Sequence, residues 1–374
     1  MQPEVQSSSD RRVAFILPHL GFGGAERLTV DLVEELLARG FAVDVVLLQR
    51  RGEFLAQLPP RARVIDLAAK RGRDAILPLR RYLKRERPDS ACAAIWSLTV
   101  IALIASFGLR SRTRMVVAEH CPLVEQYRDS FWLSLLLRIT TRACFRLAHG
   151  IVGTSDGVSD ELARLAHLKR SRVTTIYNPV KPPPCSDSSP ESLWGNRIGK
   201  RVLAVGKLKK EKNFPFLIST FAELIAGREA ILAIVGEGNE RARLETAIRD
   251  HGLESRVLLP GLSLTPGDWY KGADLFVLSS DYEGFGIVLV EAMHFGLPVV
   301  STDCPYGPAE ILGHGKWGKL TPLGDAPAFA RAMANALDEP GNPALQRRRA
   351  AEFDIDAAAS AYTRLLLGDI KSTS

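Results

Sequence analysis

The segment Asp281-Tyr-Glu-Gly-Phe-Gly-Ile-Val-Leu-Val-Glu-Ala-Met-His-Phe-Gly296 sets two carboxylates, Glu283 and Glu291, around a glycine-bracketed turn. Gly284 and Gly286 let a ligand approach the backbone closely, and the unpaired N–H groups of a first helical turn favour an anion. A phosphate held there, with carboxylates accepting from hydroxyls, has the outline of a sugar-nucleotide site. A second cluster, Gly206-Lys-Leu-Lys-Lys-Glu-Lys-Asn213, offers Lys207 and Lys212 as two cations for a diphosphate. The alternative for this cluster is a solvated charge run.

The elements that must position these groups follow from pattern. Leu275–Ser280 reads as a buried strand, and Ile287–Phe295 as a helix ended by Gly296 and Pro298. Glu283 then sits at the strand's C-terminal edge and Glu291 inside the helix. Arg201–Val205 is a strand feeding the lysine loop, and Asn213 with Pro215 signals the next helix start. The same grammar fills the first half: strand Arg12–Leu17, glycine loop His19–Glu26, helix Arg27–Ala38, strand Ala42–Leu48, then strands Met115–Ala118 and Ile151–Gly153. In the second half Ala230–Val235, Arg256–Leu259 and Pro298–Ser301 continue it. Alternation of strand and helix predicts two doubly wound parallel-sheet α/β domains, Rossmann-like and facing across a cleft. The boundaries expected are 1–181 for the first domain, 182–195 for a linker around Pro182–Pro190, 196–355 for the second domain, and 356–374 for a C-terminal helix packing back toward the first.

Two motifs in the first half remain open at this level. His19-Leu-Gly-Phe-Gly-Gly-Ala-Glu26 exposes backbone at Gly23 and Gly24, or is a structural turn. It is not a dinucleotide fingerprint, because Glu26 stands at the third glycine position and the second strand ends in Gln49-Arg50. His120 follows a strand directly, as a catalytic group or as a packed histidine.

A chain of 374 residues with 46% hydrophobic and 24% charged residues suits a soluble two-domain protein. Five cysteines without a Cys-x-x-Cys or Cys/His cluster suggest a reducing compartment and no structural metal. Residues 1–10 are polar, and no secretory signal is expected from them. The uncharged run Ala91–Leu109 is long enough to raise a membrane span, but Ser97, Thr99, Ser106 and Gly108 divide it into a buried strand and a buried helix. Asp354-Ile-Asp356 could hold a metal; capping of the helix Ala357–Leu367 is the reading preferred. Charge is uneven: residues 1–195 hold 28 Lys/Arg against 20 Asp/Glu, whereas residues 196–374 hold 21 against 22. Two basic helices carry part of the excess, Leu77–Arg87 and one bearing Arg138, Arg142 and Arg146 beside Phe131, Trp132, Leu135 and Ile139. Basic helices with exposed aromatics can lie on anionic lipid; otherwise they are half-buried helices with solvated arginines.

Taken together, Glu283-x7-Glu291, Val205-Gly-Lys207 with Glu211-Lys-Asn213, Gly23-Gly-Ala-Glu26 and Asn178-Pro-Val180 resemble the retaining family-4 glycosyltransferases of the GT-B fold, over nearly the whole chain. Ser301–Leu312 looks like a subgroup that builds bacterial surface polysaccharides and glycans. The resemblance implies that Lys207 (commonly arginine in the family) and Lys212 neutralise the donor diphosphate. It implies that Glu283 contacts the donor sugar, that Glu291 accepts from the ribose hydroxyls, and that the N–H groups of Phe285, Gly286, Ile287 and Val288 hold phosphate oxygens. His120 would lie by the sugar, and the Gly23–Glu26 loop would close over the phosphates.

It further implies a UDP-sugar donor, no cofactor and no metal. A hexose or N-acetylhexosamine would pass to a polyprenyl-diphosphate-linked glycan acceptor at the cytoplasmic face of the membrane. An anionic membrane surface is the expected partner of the basic N-terminal half, and no nucleic acid is expected. The rivals are a soluble transferase with a small sugar acceptor and a UDP-sugar epimerase of the same fold.

Overall fold

The computed structural model describes residues 11–21, 23–109, 113–186, 190–195 and 197–368. The expected polar start at 1–10, Phe22 of the first glycine loop, and residues 187–189 of the expected linker lie outside them. The chain divides into two compact units, Met1–Pro179 with Ile355–Ser374, and Val180–Asp354.

Among the described residues the first unit is built on seven strands: β1 (Arg12–Leu17), β2 (Ala42–Leu47), β3 (Arg63–Asp66), β4 (Ser90–Ala94), β5 (Arg114–Glu119), β6 (Gly150–Gly153) and β7 (Val173–Thr175). They form one parallel sheet in the order β3-β2-β1-β4-β5-β6-β7. Apolar runs covered on both faces are what a parallel sheet requires: Val13–Leu17 and Ser90–Ala94 are buried throughout. On one face the helix Gly24–Ala38 buries Leu28, Leu32, Val33 and Leu36. Beside it the helix Ile355–Leu367 brings Ala358, Ala359, Tyr362 and Leu366 into the same core. The Ala91–Leu109 run is β4 followed by the helix Leu98–Ser106, and no helix of the described residues is long and apolar enough to cross a membrane.

The second unit has six strands: β8 (Lys200–Val205), β9 (Ala230–Val235), β10 (Val257–Gly261), β11 (Leu275–Leu278), β12 (Val299–Thr302) and β13 (Lys319–Thr321). Their order is β10-β9-β8-β11-β12-β13, again parallel. One face packs the helices Phe214–Ile225, Arg241–Asp250 and Ala326–Asp338; the other packs Trp269, Tyr270 and the helix Ile287–His294.

In both sheets the winding reverses beside the first strand, between β1 and β4 and between β8 and β11. At such a reversal two adjacent loops leave in opposite directions beyond the carboxyl ends of the strands and open a crevice for ligand.

Two segments differ from expectation. The first helix begins at Gly24, so Gly24, Ala25 and Glu26 form its first turn instead of a loop; an acidic residue there complements the helix dipole. The described part of the 182–195 segment packs on the second unit. Ser186 donates through its N–H and Oγ to Asp268, and the helix Pro190–Trp194 buries Trp194 edge-on against Trp269. An aromatic of that size is stabilised by leaving water, which outweighs the freedom of a tether.

Candidate functional site

In the second unit the sheet brings together at its β8/β11 reversal two loops distant in sequence. After β8 the chain passes Gly206 and Lys207, makes a single turn over Lys210–Lys212, and starts the helix Phe214–Ile225 from Asn213. After β11 it runs through Ser279–Gly286 before the helix Ile287–His294. The loops are tied by backbone and side chain: Asp281 N–H donates to Glu211 O (2.8 Å), Ser279 Oγ to Lys212 O (2.8 Å), and Asn213 Nδ2 to Asp281 Oδ1 (2.8 Å).

These ties seat Lys212 Nζ 2.5 Å from Glu283 Oε1, the two side chains being 17% and 11% exposed. Ser280 Oγ donates to the same Glu283 oxygen at 2.7 Å. Glu283 is also fixed along its backbone by a parallel bridge to Tyr306: Glu283 N–H donates to Pro305 O (2.6 Å) and Tyr306 N–H to Glu283 O (2.8 Å). Cys304 in the same loop is buried, and burial together with the Glu283 charge pushes its thiol up, so it stays protonated. Gly286 holds the entry to the helix at φ +100°, a left-handed turn that suits glycine. Gly307 packs so closely that a Cβ on it would lie 2.0 Å from Phe285 O. The first helical turn therefore presents the N–H groups of Ile287 and Val288 from a fixed frame.

Lys207 lies exposed on the loop after β8. Its backbone is braced by the turn after β9, where Leu208 N–H donates to Glu237 O (2.9 Å). Cβ atoms on Gly236 and Gly238 would meet Gly206 O at 1.9 Å and Leu208 O at 2.2 Å. Glu291 projects from the helix Ile287–His294 and accepts from Tyr270 Oη at 2.7 Å. Tyr270 is fully buried and stacked on Phe295, and burial beside the Glu291 charge pushes its phenol well up. Sequence reasoning missed Ser280, Tyr270, Gly236 and Gly238. Only the Gly-Glu-Gly spelling after β9 offered a signal for any of them.

In the first unit, Gly23 is the N-cap of the helix Gly24–Ala38, in extended conformation. A Cβ on it would lie 2.2 Å from Glu26 Oε2, so a larger residue there would displace the folded-back glutamate. His120 stands directly after β5, half-buried, its Nδ1 without a hydrogen-bond partner among the described residues. Burial, partly offset by the neighbouring Asn178, pushes His120 from the ordinary 6.5 down to about 4. Preceding it, Glu119 is buried, accepts from Trp96 N–H (3.0 Å) and Thr99 Oγ1 (2.8 Å), and is pushed up to about 8 by that burial. Both groups are therefore neutral at pH 7.

The His120 shift has a measurable sign. Between the ordinary 6.5 and about 4 the unfolded chain takes up a proton that folded His120 refuses, so stability falls as pH drops through this window. His120→Asn should remove this slope, worth up to about 3 kcal/mol. Urea unfolding of both proteins over a pH series measures it, and a pH-independent difference between them would contradict the assignment.

Among the described residues no group of three or more His, Cys, Asp or Glu side chains is placed to hold a metal ion. Of the Asp354–Asp356 pair, Asp354 immediately precedes the helix Ile355–Leu367, and the exposed Asp356 carboxylate meets Arg39 at 3.4 Å.

Comparison with known proteins extends this geometry. Residues 22–182 match the family model described as Glycosyltransferase Family 4, and residues 196–353 the model described as Glycosyl transferases group 1. The lipopolysaccharide core biosynthesis glycosyltransferase LpsE of Rhizobium meliloti is 27% identical over 361 residues, covering 92% of this chain and 96% of LpsE. In Campylobacter jejuni, the N-acetylgalactosamine-N,N'-diacetylbacillosaminyl-diphospho-undecaprenol 4-alpha-N-acetylgalactosaminyltransferase is 25% identical over 343 residues, covering 88% and 91% of the two chains. The alpha-D-kanosaminyltransferase of Streptomyces kanamyceticus is 30% identical over 271 residues, 66% of this chain and 68% of that one. Among solved structures, Anabaena Alr3699/HepE in complex with UDP superposes with a TM-score of 0.77 at 22% identity, covering 95% and 99%. That identity speaks to the fold, two parallel-sheet α/β units of the GT-B type. With both halves matched in order, and glycosyltransferase relatives matched over two thirds or more of their length, the chain belongs to the family-4 glycosyltransferases.

Proposed function

We propose that the protein transfers a hexose or N-acetylhexosamine from a UDP-sugar to a polyprenyl-diphosphate-linked glycan in bacterial polysaccharide assembly, with retention and without a metal ion. The observation that carries this reading is the Lys212–Glu283 pair beside the helix that starts at Ile287. Cleaving a glycosyl–phosphate bond develops negative charge on the departing diphosphate. Lys212, Lys207 and the N–H groups of Phe285 to Val288 meet it where it develops, in the role a divalent cation fills elsewhere.

An ammonium carries three N–H donors, so Lys212 can hold Glu283 and a phosphate oxygen together. Glu283, fixed by Ser280 and Lys212, faces the sugar near the reacting carbon, and Glu291, held by Tyr270, takes the ribose hydroxyls. The leaving phosphate then takes the acceptor proton on the same face, so retention needs no protein base. For His120 and the Gly23–Gly24 helix start of the first unit, the roles toward sugar and phosphates rest on the family resemblance alone. The UDP complex of the HepE neighbour and the diphospho-undecaprenol acceptor named for the Campylobacter relative support the donor and acceptor classes. The first unit's excess positive charge supports work at the anionic inner face of the membrane.

A thermal-shift screen of UDP-, GDP- and ADP-sugars in EDTA tests the donor. UDP-sugars should stabilise by about 2–3 kcal/mol at a hundredfold excess over Kd, and chelator should leave both the shift and the transfer rate unchanged. A response confined to GDP- or ADP-sugars, or abolished by EDTA, would overturn it.

A further inference from the structure

The helix Phe131–Cys144 buries Leu137 and Thr141, one stripe against the body of the first unit. At roughly 100° per residue, Trp132, Leu135 and Ile139 fall within about 40° of the opposite side. An ordinary surface helix is polar on that side. Here Trp132 is 74% exposed, Leu135 38% and Ile139 57%, with Phe131 (72%) at the helix start set edge-on to Trp132. Exposed Arg138 and Arg142 flank this stripe, Arg146 follows beyond the helix end, and the helix contains no acidic residue. A continuous apolar stripe bordered by cations is costly to leave in water and complementary to a surface that is apolar within and anionic at its rim.

We propose that this helix lies in the interface of an anionic bilayer, with Phe131, Leu135 and Ile139 reaching the acyl chains, Trp132 at their boundary with the headgroups, and Arg138 and Arg142 on the lipid phosphates. The proposal rests on the membrane reading above and deepens it, naming the element that inserts and the groups that hold it. Indole and guanidinium are both suited to the headgroup level, the first by its amphipathic ring and the second by bidentate phosphate contacts. The enzyme would thus be held at the surface by a stripe separate from its catalytic loops.

The full chain is sedimented with phosphatidylcholine vesicles with and without phosphatidylglycerol, and read by quenching with brominated lipid. Wild type should bind the anionic vesicles, less at high salt. Phe131→Ser/Trp132→Ser should lower the partition constant by about tenfold or more, and Arg138→Gln/Arg142→Gln by roughly tenfold. Trp132→Phe should still bind while losing most of the quenching. All variants should keep the far-ultraviolet spectrum of wild type and its rate on a water-soluble acceptor. Undiminished binding by the Phe131/Trp132 variant would overturn the helix assignment while leaving the membrane reading intact; no vesicle binding by wild type would overturn both. A wild-type dimer lost in that variant would assign the stripe to contact between copies and refute the proposal.

Discussion

Glu283→Ala should lower kcat on the order of a thousandfold while donor affinity is unchanged or tightened. A group that acts where charge develops contributes to the transition state and little to the ground state, so its loss is read in kcat. Glu283 also neutralises Lys212 at 2.5 Å. Without that carboxylate the ammonium is left to the donor diphosphate alone, which favours ground-state binding. A fall in kcat with no rise in KM is the signature expected. Glu283→Gln, which keeps an acceptor for Ser280 Oγ but no charge, should recover little. The variant should fold, because the Glu283 backbone is held independently by the Tyr306 bridge. A full-rate Glu283→Ala enzyme would remove Glu283 from the mechanism.

Lys212→Ala should act on both constants. With the ammonium meeting the diphosphate before and during bond cleavage, as proposed, kcat/KM should fall on the order of 10³–10⁴-fold, shared between donor KM and kcat. Glu283 would also lose its counter-charge in a largely water-excluded setting, which costs about 2–3 kcal/mol of stability. Lys212→Arg keeps the charge in a longer fork and should restore only part of the rate. Because the two side chains act as a unit, Lys212→Ala/Glu283→Ala should be barely slower than the worse single variant. Steady-state kinetics on the four proteins of this cycle decide it, and strictly additive losses would argue that the residues work separately.

Local pattern made much of this legible. The Gly284–Gly286 bracket, the apolar run before it and the helix after it fixed a strand–turn–helix, and that context alone set Glu283 at a strand end. Long-range pairing is what local pattern does not carry. Lys212 and Glu283 lie 71 residues apart, and only the parallel neighbours β8 and β11 bring their loops together. Nothing near Tyr270 in the sequence marked its hydroxyl as the partner of Glu291. Gly236 and Gly238 matter because the backbone of Gly206 and Leu208 passes over them, a contact between adjacent strands. Short edge strands such as β3 and β13, only partly buried, lacked the apolar run by which the central strands announced themselves. For the helix Phe131–Cys144, composition gave the arginines and aromatics, but only the packed fold distinguishes its buried stripe from its exposed one.

The central claim is that the Lys212–Glu283 site activates a UDP-sugar for transfer with retention. Time-resolved proton NMR of the protein with UDP-sugar and a polyprenyl-diphosphate-linked acceptor, in EDTA, tests it in one experiment. The account predicts that the α-linked donor signal decays as UDP forms in equal amount, and that the first product carries an α-glycosidic proton. A β-linked first product, free or epimerised sugar in place of a glycoside, or transfer only after a divalent metal is restored would contradict it.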